Sequence, residues 1–379
     1  MGGKRKRAPK EANNADAQPS QKRTKNTSET SNGTAKSKKL DKSPFTEQLT
    51  VQERKRELEL YELLGSEDAS ERIQAADAIV SGLLGGEGVT EPVLLRHLNN
   101  RLFRGLASGR NASRLGFSLV LTEILGQLFG EKDLASEKYP ELTFDKVLGI
   151  LIEKTQAGGN VPGQEERDRY FGQLFGIECF VRSGILFSDK RRWLAMLDLL
   201  LGLGQKKSWL KSQCGYVVVQ AISQMKKKLA EKTLQKLVEE GYAKTPEGVG
   251  IWIAALDRFP DMDVPAQPWK NPLAAASLQA LPPVLKDSGK EKNEQGGPKL
   301  KQGGWSAQLH FVWDIILAHY LKLAAKNEAD AAVEFKPFWN RVVDGTSSVP
   351  VLRVANANGF FQRDSFPRPP RTPKSFLAS

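Results

Sequence analysis

From Ser43 onward, hydrophobic residues recur at intervals of three and four, which is the spacing of one face of an α-helix. The clearest examples are ASERIQAADAIVSGLL (69–84), YFGQLFGIECFVRSGIL (170–186) and HFVWDIILAHYLKLAAK (310–326). In the first segment the pattern predicts a buried stripe of Ile73, Ala76, Val80 and Leu83. No apolar–polar alternation extends over six or more residues. The best strand candidate, residues 216–219, lies inside an uninterrupted apolar pattern from Trp209 to Met225 and is assigned to a buried helix.

Glycine and proline divide the helical pattern into segments of ordinary helix length. These breakers are Gly85-Gly86, Gly130, Gly158-Gly159, Gly202, Gly241, residues 260–272 and residues 289–304. Helices in series, joined by short links without strands, predict an all-α fold, an armadillo/HEAT-like helical solenoid. Because no sharp repeat of about 40 residues is visible, a single non-repetitive helix bundle remains the alternative.

The first 43 residues differ from the rest of the chain, because they contain no Val, Ile, Phe, Tyr or Trp. Such a segment cannot bury enough apolar surface to fold, and we expect a disordered basic tail. Its cationic clusters are typical of nuclear localisation signals or nucleic-acid contacts. They comprise Lys4, Arg5, Lys6, Arg7, Lys22, Arg23, Lys25, Lys36, Lys38 and Lys39. A purely solubilising tail is the alternative.

Two further segments interrupt the helical pattern. Residues 288–304 read SGKEKNEQGGPKLKQGG and predict a disordered, solvated loop within the helical-repeat domain, residues 44–344. Residues 345–379 contain five prolines without a sustained period, which predicts an irregular C-terminal tail. The expected organisation is therefore a basic tail, a helical body with one loop, and a second tail.

Charge and composition restrict the class of protein. The net charge of +12 resides on the two tails, and residues 44–344 sum to zero. Two cysteines, Cys179 and Cys214, are too few for a disulfide framework. No apolar run of about 18 residues is present, and no apolar stretch follows the basic N-terminus. We expect a soluble intracellular protein with no membrane partner.

The residue patterns of catalysis and metal binding are not found. His97, His310 and His319 lie at no metal-ligand spacing, and the glycine-rich segment 202–208 departs from the phosphate-loop pattern. Asp261 and Asp263 form the one tight aspartate pair of the body, in a proline-rich segment more typical of a turn than of a two-metal site. The sequence predicts no catalytic residue, metal, cofactor or small-molecule substrate.

The segment RHLNNRLFRGLASGRNASRLGF (96–117) concentrates arginines around small residues. Arg101 and Arg104 lie three residues apart and Arg110 and Arg114 four apart, so each pair shares a helix face. The arginines are candidate phosphate contacts. The alternative, which the neutral body favours, is a solvated face beside a tight helix corner made by Gly105, Ala107, Ser108 and Gly109.

This segment and three others resemble the Myb-binding protein 1A family, which includes the fungal protein called DNA polymerase V or polymerase phi. The matching blocks are RLFRGLASGRNASRLGFSLVLTEIL (101–125), YFGQLFGIECFVRSGIL (170–186), WKNPLAAASLQAL (269–281) and WSAQLHFVWDIIL (305–317). The resemblance covers residues 45–344 and implies an armadillo/HEAT-type nucleolar protein. Family members are much longer, so a truncated or frame-shifted chain after Asp344 is expected.

The resemblance also implies a function in ribosomal RNA gene transcription and ribosome biogenesis. The expected partners are DNA or RNA of the ribosomal genes, nucleolar proteins and transcription factors. We expect a non-catalytic scaffold of the nucleus and nucleolus. The alternatives are a DNA-directed DNA polymerase, as the family name claims, and an importin-like adaptor.

Overall fold

A computed structural model describes residues 40–158, 163–285 and 310–343, and within these ranges the chain is helical with no strand. The first seven α-helices are α1 (Val51–Leu63), α2 (Ala69–Leu84), α3 (Glu91–His97), α4 (Phe103–Gly105), α5 (Asn111–Phe129), α6 (Leu134–Glu137) and α7 (Phe144–Thr155). The next eight are α8 (Gly163–Arg182), α9 (Lys190–Lys206), α10 (Lys211–Ile222), α11 (Lys227–Glu239), α12 (Pro246–Arg258), α13 (Leu281–Leu285), α14 (Phe311–Lys326) and α15 (Glu328–Phe338). Short π-helical segments, Leu98–Leu102 and Trp339–Val343, join or extend them.

The helices form two rows. In the first row α2, α5, α8, α10, α12 and α14 each pack against the next, and the remaining long helices lie against this row. The contacts between α12 and α14 join like ends: Glu247 and His310 meet at the starts of these helices, and Asp257 and His319 meet farther along, so α12 and α14 run parallel. Helices stacked in chain order confirm the predicted helical solenoid.

Local sequence determines where the helices begin and end. Thr50 and Glu53 form a capping box at α1, and the Thr245 hydroxyl accepts a hydrogen bond from the Gly248 amide while Pro246 occupies the first turn of α12. Gly85 and Gly130 follow α2 and α5, as predicted. Gly241, after α11, has φ of 67°, a conformation that costs a glycine little.

Two details of the predicted pattern were wrong. Ile73 of the predicted stripe is 58% exposed, whereas Ala76 and Leu83 of the same stripe are buried together with Ala75 and Ile79. Gly202 lies inside α9, where the buried leucines around it stabilise the helix by more than the roughly 1 kcal/mol that glycine costs.

The apolar segment from Trp209 to Met225 is confirmed as helical. A 3₁₀ turn, Ser208–Leu210, leads directly into α10, where Val217 and Val218 are buried and Tyr216 is exposed. None of the described helices is long and apolar enough to cross a membrane. Residues 1–39 of the predicted N-terminal tail (1–43), the predicted C-terminal tail (345–379) and the predicted loop at 288–304 lie outside the described residues.

Candidate nucleic-acid interface

The arginine-rich segment 96–117 folds into a tight corner. The chain passes from α3 through the π-helical turn into α4, and then turns into α5. Gly105 faces the ring of Phe117, whose nearest carbon lies 2.5 Å from where a Cβ would stand. A larger residue would separate α4 from α5 at this point. The small residues therefore make the corner that the sequence indicated.

Arg101 lies on the π-helical turn and pairs with α1. Its Nε donates to Glu57 Oε1 over 2.9 Å, and its guanidinium lies 5.7 Å from the centroid of the Tyr61 ring. Glu57 is only 5% exposed, so an unpaired carboxylate there would be costly. Arg101 thus compensates a buried charge of the fold, although its own side chain remains about half exposed.

Arg114 is buried in the interface between α5 and α8. Its Nη1 donates to the Ser108 carbonyl over 2.5 Å and lies 3.5 Å from Asp168 Oδ1, and its guanidinium lies 5.0 Å from the Phe171 ring centroid. Burial lowers the pKa of Arg114, and the Asp168 charge acts in the opposite direction. In this geometry the side chain fastens two helices and is not presented to solvent.

Arg104 and Arg110 are exposed. Arg110 donates from Nη2 to the Gly65 carbonyl over 2.5 Å and lies 3.5 Å from Glu67. The Arg104 side chain forms no hydrogen bond or ion pair within the described ranges. The four arginines therefore occupy four different environments, and Arg104 is the one most available to a phosphate.

A buried polar cluster lies beside this corner. Arg96 donates to His97 Nε2 over 3.1 Å, which leaves the ring proton on Nδ1, 2.7 Å from the Tyr61 hydroxyl. Burial, reinforced by the charges of Arg96, Arg101 and Arg56, lowers the pKa of His97 to about 3. His97 is therefore a neutral core residue.

The start of α8 carries a cation and aromatic cluster that the sequence analysis missed. The Arg167 guanidinium lies 5.5 Å from the Phe171 centroid and 5.2 Å from that of Trp209, and these two rings are 5.1 Å apart. Arg114 reaches Phe171 from α5. Arg167 and Phe171 are four apart and share a helix face, which was the available signal; the contact with Trp209 depends on packing.

The two candidate aspartates make different contacts. Asp261 accepts a hydrogen bond from Lys227 Nζ over 3.0 Å, which lowers the pKa of Asp261, and the Asp263 backbone amide donates to Glu231.

Burial raises the pKa of Cys179 and of Cys214 to about 12, so neither is an activated thiol. Within the described residues no group of three His, Cys, Asp or Glu side chains is placed to hold a metal ion.

The other two histidines pair with carboxylates across the first row. His310 Nε2 lies 3.3 Å from Glu247 Oε1, and His319 Nδ1 lies 2.5 Å from Asp257 Oδ1. Burial alone raises the pKa of Glu247, but His310 and Lys211 lower it below its usual value. These pairs fasten α12 to α14. The predicted tail cations, from Lys4 to Lys39, lie outside the described residues.

Helices stacked in chain order over the described residues define a helical-repeat protein. The chain belongs to the family described as DNA polymerase phi, whose model matches residues 97–348. This confirms the resemblance seen in the sequence.

Several characterised proteins are similar to the chain. The rDNA transcriptional regulator pol5 of Schizosaccharomyces pombe is 32% identical over 76% of the chain and 29% of its own length. The rDNA transcriptional regulator POL5 of Saccharomyces cerevisiae is 26% identical over 76% of the chain and 32% of its own length. A Myb-binding protein 1A-like protein of Danio rerio is 24% identical over 52% of the chain and 14% of its own length. The chain thus spans about a third of the yeast relatives or less. No solved structure matches it.

Proposed function

We propose that the chain acts in a non-catalytic scaffold that helps regulate transcription of the ribosomal RNA genes and ribosome biogenesis in the nucleolus. The observation that carries this proposal is the similarity to two yeast proteins named as rDNA transcriptional regulators. The engagement of Asp261 by Lys227 is compatible with a non-catalytic role. A row of helices stacked in chain order supplies an extended surface of the kind that repeat proteins use to bind partners.

The basic tail has two tasks in this proposal. Its clusters direct nuclear import, and its cations attract nucleic acid independently of sequence. Residues 1–43 hold 12 Lys and Arg against 4 Asp and Glu, an excess suited to phosphate. The helical body then contacts protein partners, namely nucleolar proteins and transcription factors.

The test replaces the ten cluster cations of the full chain, Lys4 to Lys39, with Gln. We expect nuclear accumulation to fall and the salt dependence of nucleic-acid binding to flatten, because each lost phosphate contact removes about 0.9 from the slope of log affinity against log salt. Live-cell imaging and binding titrations across salt concentrations measure the two effects.

The matched control exchanges lysine and arginine at the same ten positions, which keeps the charge. Both properties are then expected to remain near wild type. Unchanged import and an unchanged slope in the glutamine variant would refute the assigned role of the tail.

A further inference from the structure

The neutral total charge of the helical body conceals a separation of charge along the chain. Residues 47–91 contain eleven Asp and Glu but four Lys and Arg, whereas residues 190–236 contain eleven Lys and Arg but two Asp and Glu. The second segment covers α9, α10 and most of α11. Residues 190–236 are therefore a strongly basic region of the body, in addition to the arginine-rich segment 96–117.

The fold brings the basic ends of α9 and α11 side by side. The Trp193 indole N–H donates to Thr233 Oγ1 over 2.8 Å in the core, and Lys236 Nζ lies 2.6 Å from Asp198. Both contacts join corresponding positions, so the two helices run parallel. A cleft of about 240 Å³ lies between them, lined by Lys190, Leu194, Lys232, Gln235, Lys236 and Glu239.

Each helix begins with three consecutive cations, residues 190–192 and 226–228. Cations are unfavourable near the positive end of the helix dipole, so this arrangement costs stability. Part of the charge is compensated: Arg191 lies 3.7 Å from Asp189, Lys227 3.0 Å from Asp261, and Arg192 lies over the Phe144 ring. The cations that remain unpaired determine which charged ligands this surface attracts.

Three lysines in the first halves of α9 and α11 have no carboxylate partner among the described residues. Lys190 and Lys232 line the cleft, and Lys228 precedes Lys232 by one helical turn on α11. All three are exposed, and the one hydrogen bond among them runs from Lys232 to the neutral Gln235. Glu239 lies on α11 about two turns beyond Lys232. We call Lys190, Lys228 and Lys232 the basic cleft.

We propose that the basic cleft binds the phosphate backbone of double-stranded DNA. The lysines provide charge and hydrogen-bond donors, the groups that recognise phosphate independently of sequence. None of the residues that line the cleft is aromatic, so it offers no ring for stacking on unpaired bases, which favours a duplex over a single strand. This inference rests on the proposed function, and it places a DNA contact in the helical body in addition to the tail.

The test compares three variants of the full chain, all with the same tail. The triple variant Lys190→Gln, Lys228→Gln, Lys232→Gln removes the charges of the cleft. A second variant places Arg at the same positions. The control changes Arg54, Lys55 and Lys244 to Gln, three exposed cations away from the cleft. Fluorescence anisotropy with a duplex of about three helical turns measures affinity between about 50 and 200 mM salt.

We expect the glutamine variant of the cleft to lower the salt slope by about 2 to 3 and to weaken duplex binding roughly tenfold to a hundredfold, as three lost phosphate contacts require. The arginine variant and the control should bind like wild type. Equal affinities for the glutamine variant and the control would overturn the proposal. A larger loss for single-stranded RNA than for duplex DNA would also overturn it.

Failure of the inference is distinguishable from failure of the proposed function. Nascent ribosomal RNA synthesis is measured in cells depleted of the protein and supplied with wild type or with the cleft variant. No response to depletion would contradict the proposed function whatever the DNA affinity. A response to depletion, with duplex affinity unchanged in the cleft variant, would contradict the inference alone.

Discussion

Burial decides what a basic side chain does in this protein. Arg114 and Arg104 lie in the same short segment, yet Arg114 is held between α5 and α8 by Asp168 and Phe171, whereas Arg104 is exposed. His97, close by, is enclosed by Arg96 and Tyr61 and is neutral. The functional reading of a basic residue therefore depends on its contacts.

His97 should make the protein sensitive to mild acid. Its pKa is about 3 in the folded chain against an ordinary 6.5, so below pH 6.5 the unfolded chain binds a proton that the folded chain does not. The stability that neutral His97 contributes is therefore fully present above pH 6.5. Below this pH the free energy of unfolding falls by up to about 1.4 kcal/mol per pH unit.

Denaturant unfolding of wild type and His97→Gln between about pH 7 and pH 5 measures this effect. Over this pH range the variant is expected to lose about 2 kcal/mol less of its free energy of unfolding than wild type, whatever its stability at neutral pH. If the free energy of unfolding fell equally with pH in wild type and in the variant, His97 would titrate normally in the folded protein.

At the scale of helices, glycines set how closely the rows approach. A Cβ at Gly116 of α5 would stand 2.1 Å from the Leu64 carbonyl oxygen at the end of α1. One at Gly172 of α8 would stand 2.9 Å from the Ala107 amide nitrogen in the corner. Backbone lies against backbone at both points, so the neighbours have no side chain that could move aside.

Gly116→Ala should therefore destabilise the protein by about 1 to 3 kcal/mol, since α5 must move away from α1. Gly126→Ala is the matched control in the same helix, because nothing lies within 4 Å of the added methyl group. We expect this control to stabilise by about 0.4 to 1 kcal/mol. Denaturation midpoints compare the two, and equal effects would show that the Gly116 contact is not restrictive.

At the scale of the whole chain, like charges are grouped rather than mixed. The acidic group occupies residues 47–91 and the basic group residues 190–236. Grouped charges of one sign repel within each region and create a directional field, which steers polyanions to the basic region. The same grouping costs stability when the protein is alone.

Salt should stabilise the isolated protein by screening this repulsion. Raising the ionic strength from about 10 mM to 100 mM shortens the Debye length from about 30 Å to about 10 Å. A gain of about 1 kcal/mol corresponds to a rise of roughly 2 to 4 °C in the unfolding midpoint. Calorimetry of wild type and the glutamine variant of the cleft measures this, with a smaller rise expected for the variant. A midpoint that falls with salt would mean that the ion pairs outweigh the repulsion.

The sequence by itself determined the helical class, the breaks at Gly85, Gly130 and Gly241, and the family. These depend on residue spacing and on local backbone preference, which are encoded within a few neighbouring residues. The tight corner of segment 96–117 was also predictable, because only small residues allow such a turn.

Tertiary structure decided what spacing leaves open. Periodicity predicts a stripe but not where its edges lie, which is why Ile73 is exposed and Ala75 buried. The pairing of Arg101 with Glu57 joins residues 44 apart. The basic cleft needs α9 and α11 to run side by side, and a total charge near zero conceals it. Each of these outcomes depends on contacts between distant residues, and those contacts form only when the rows pack.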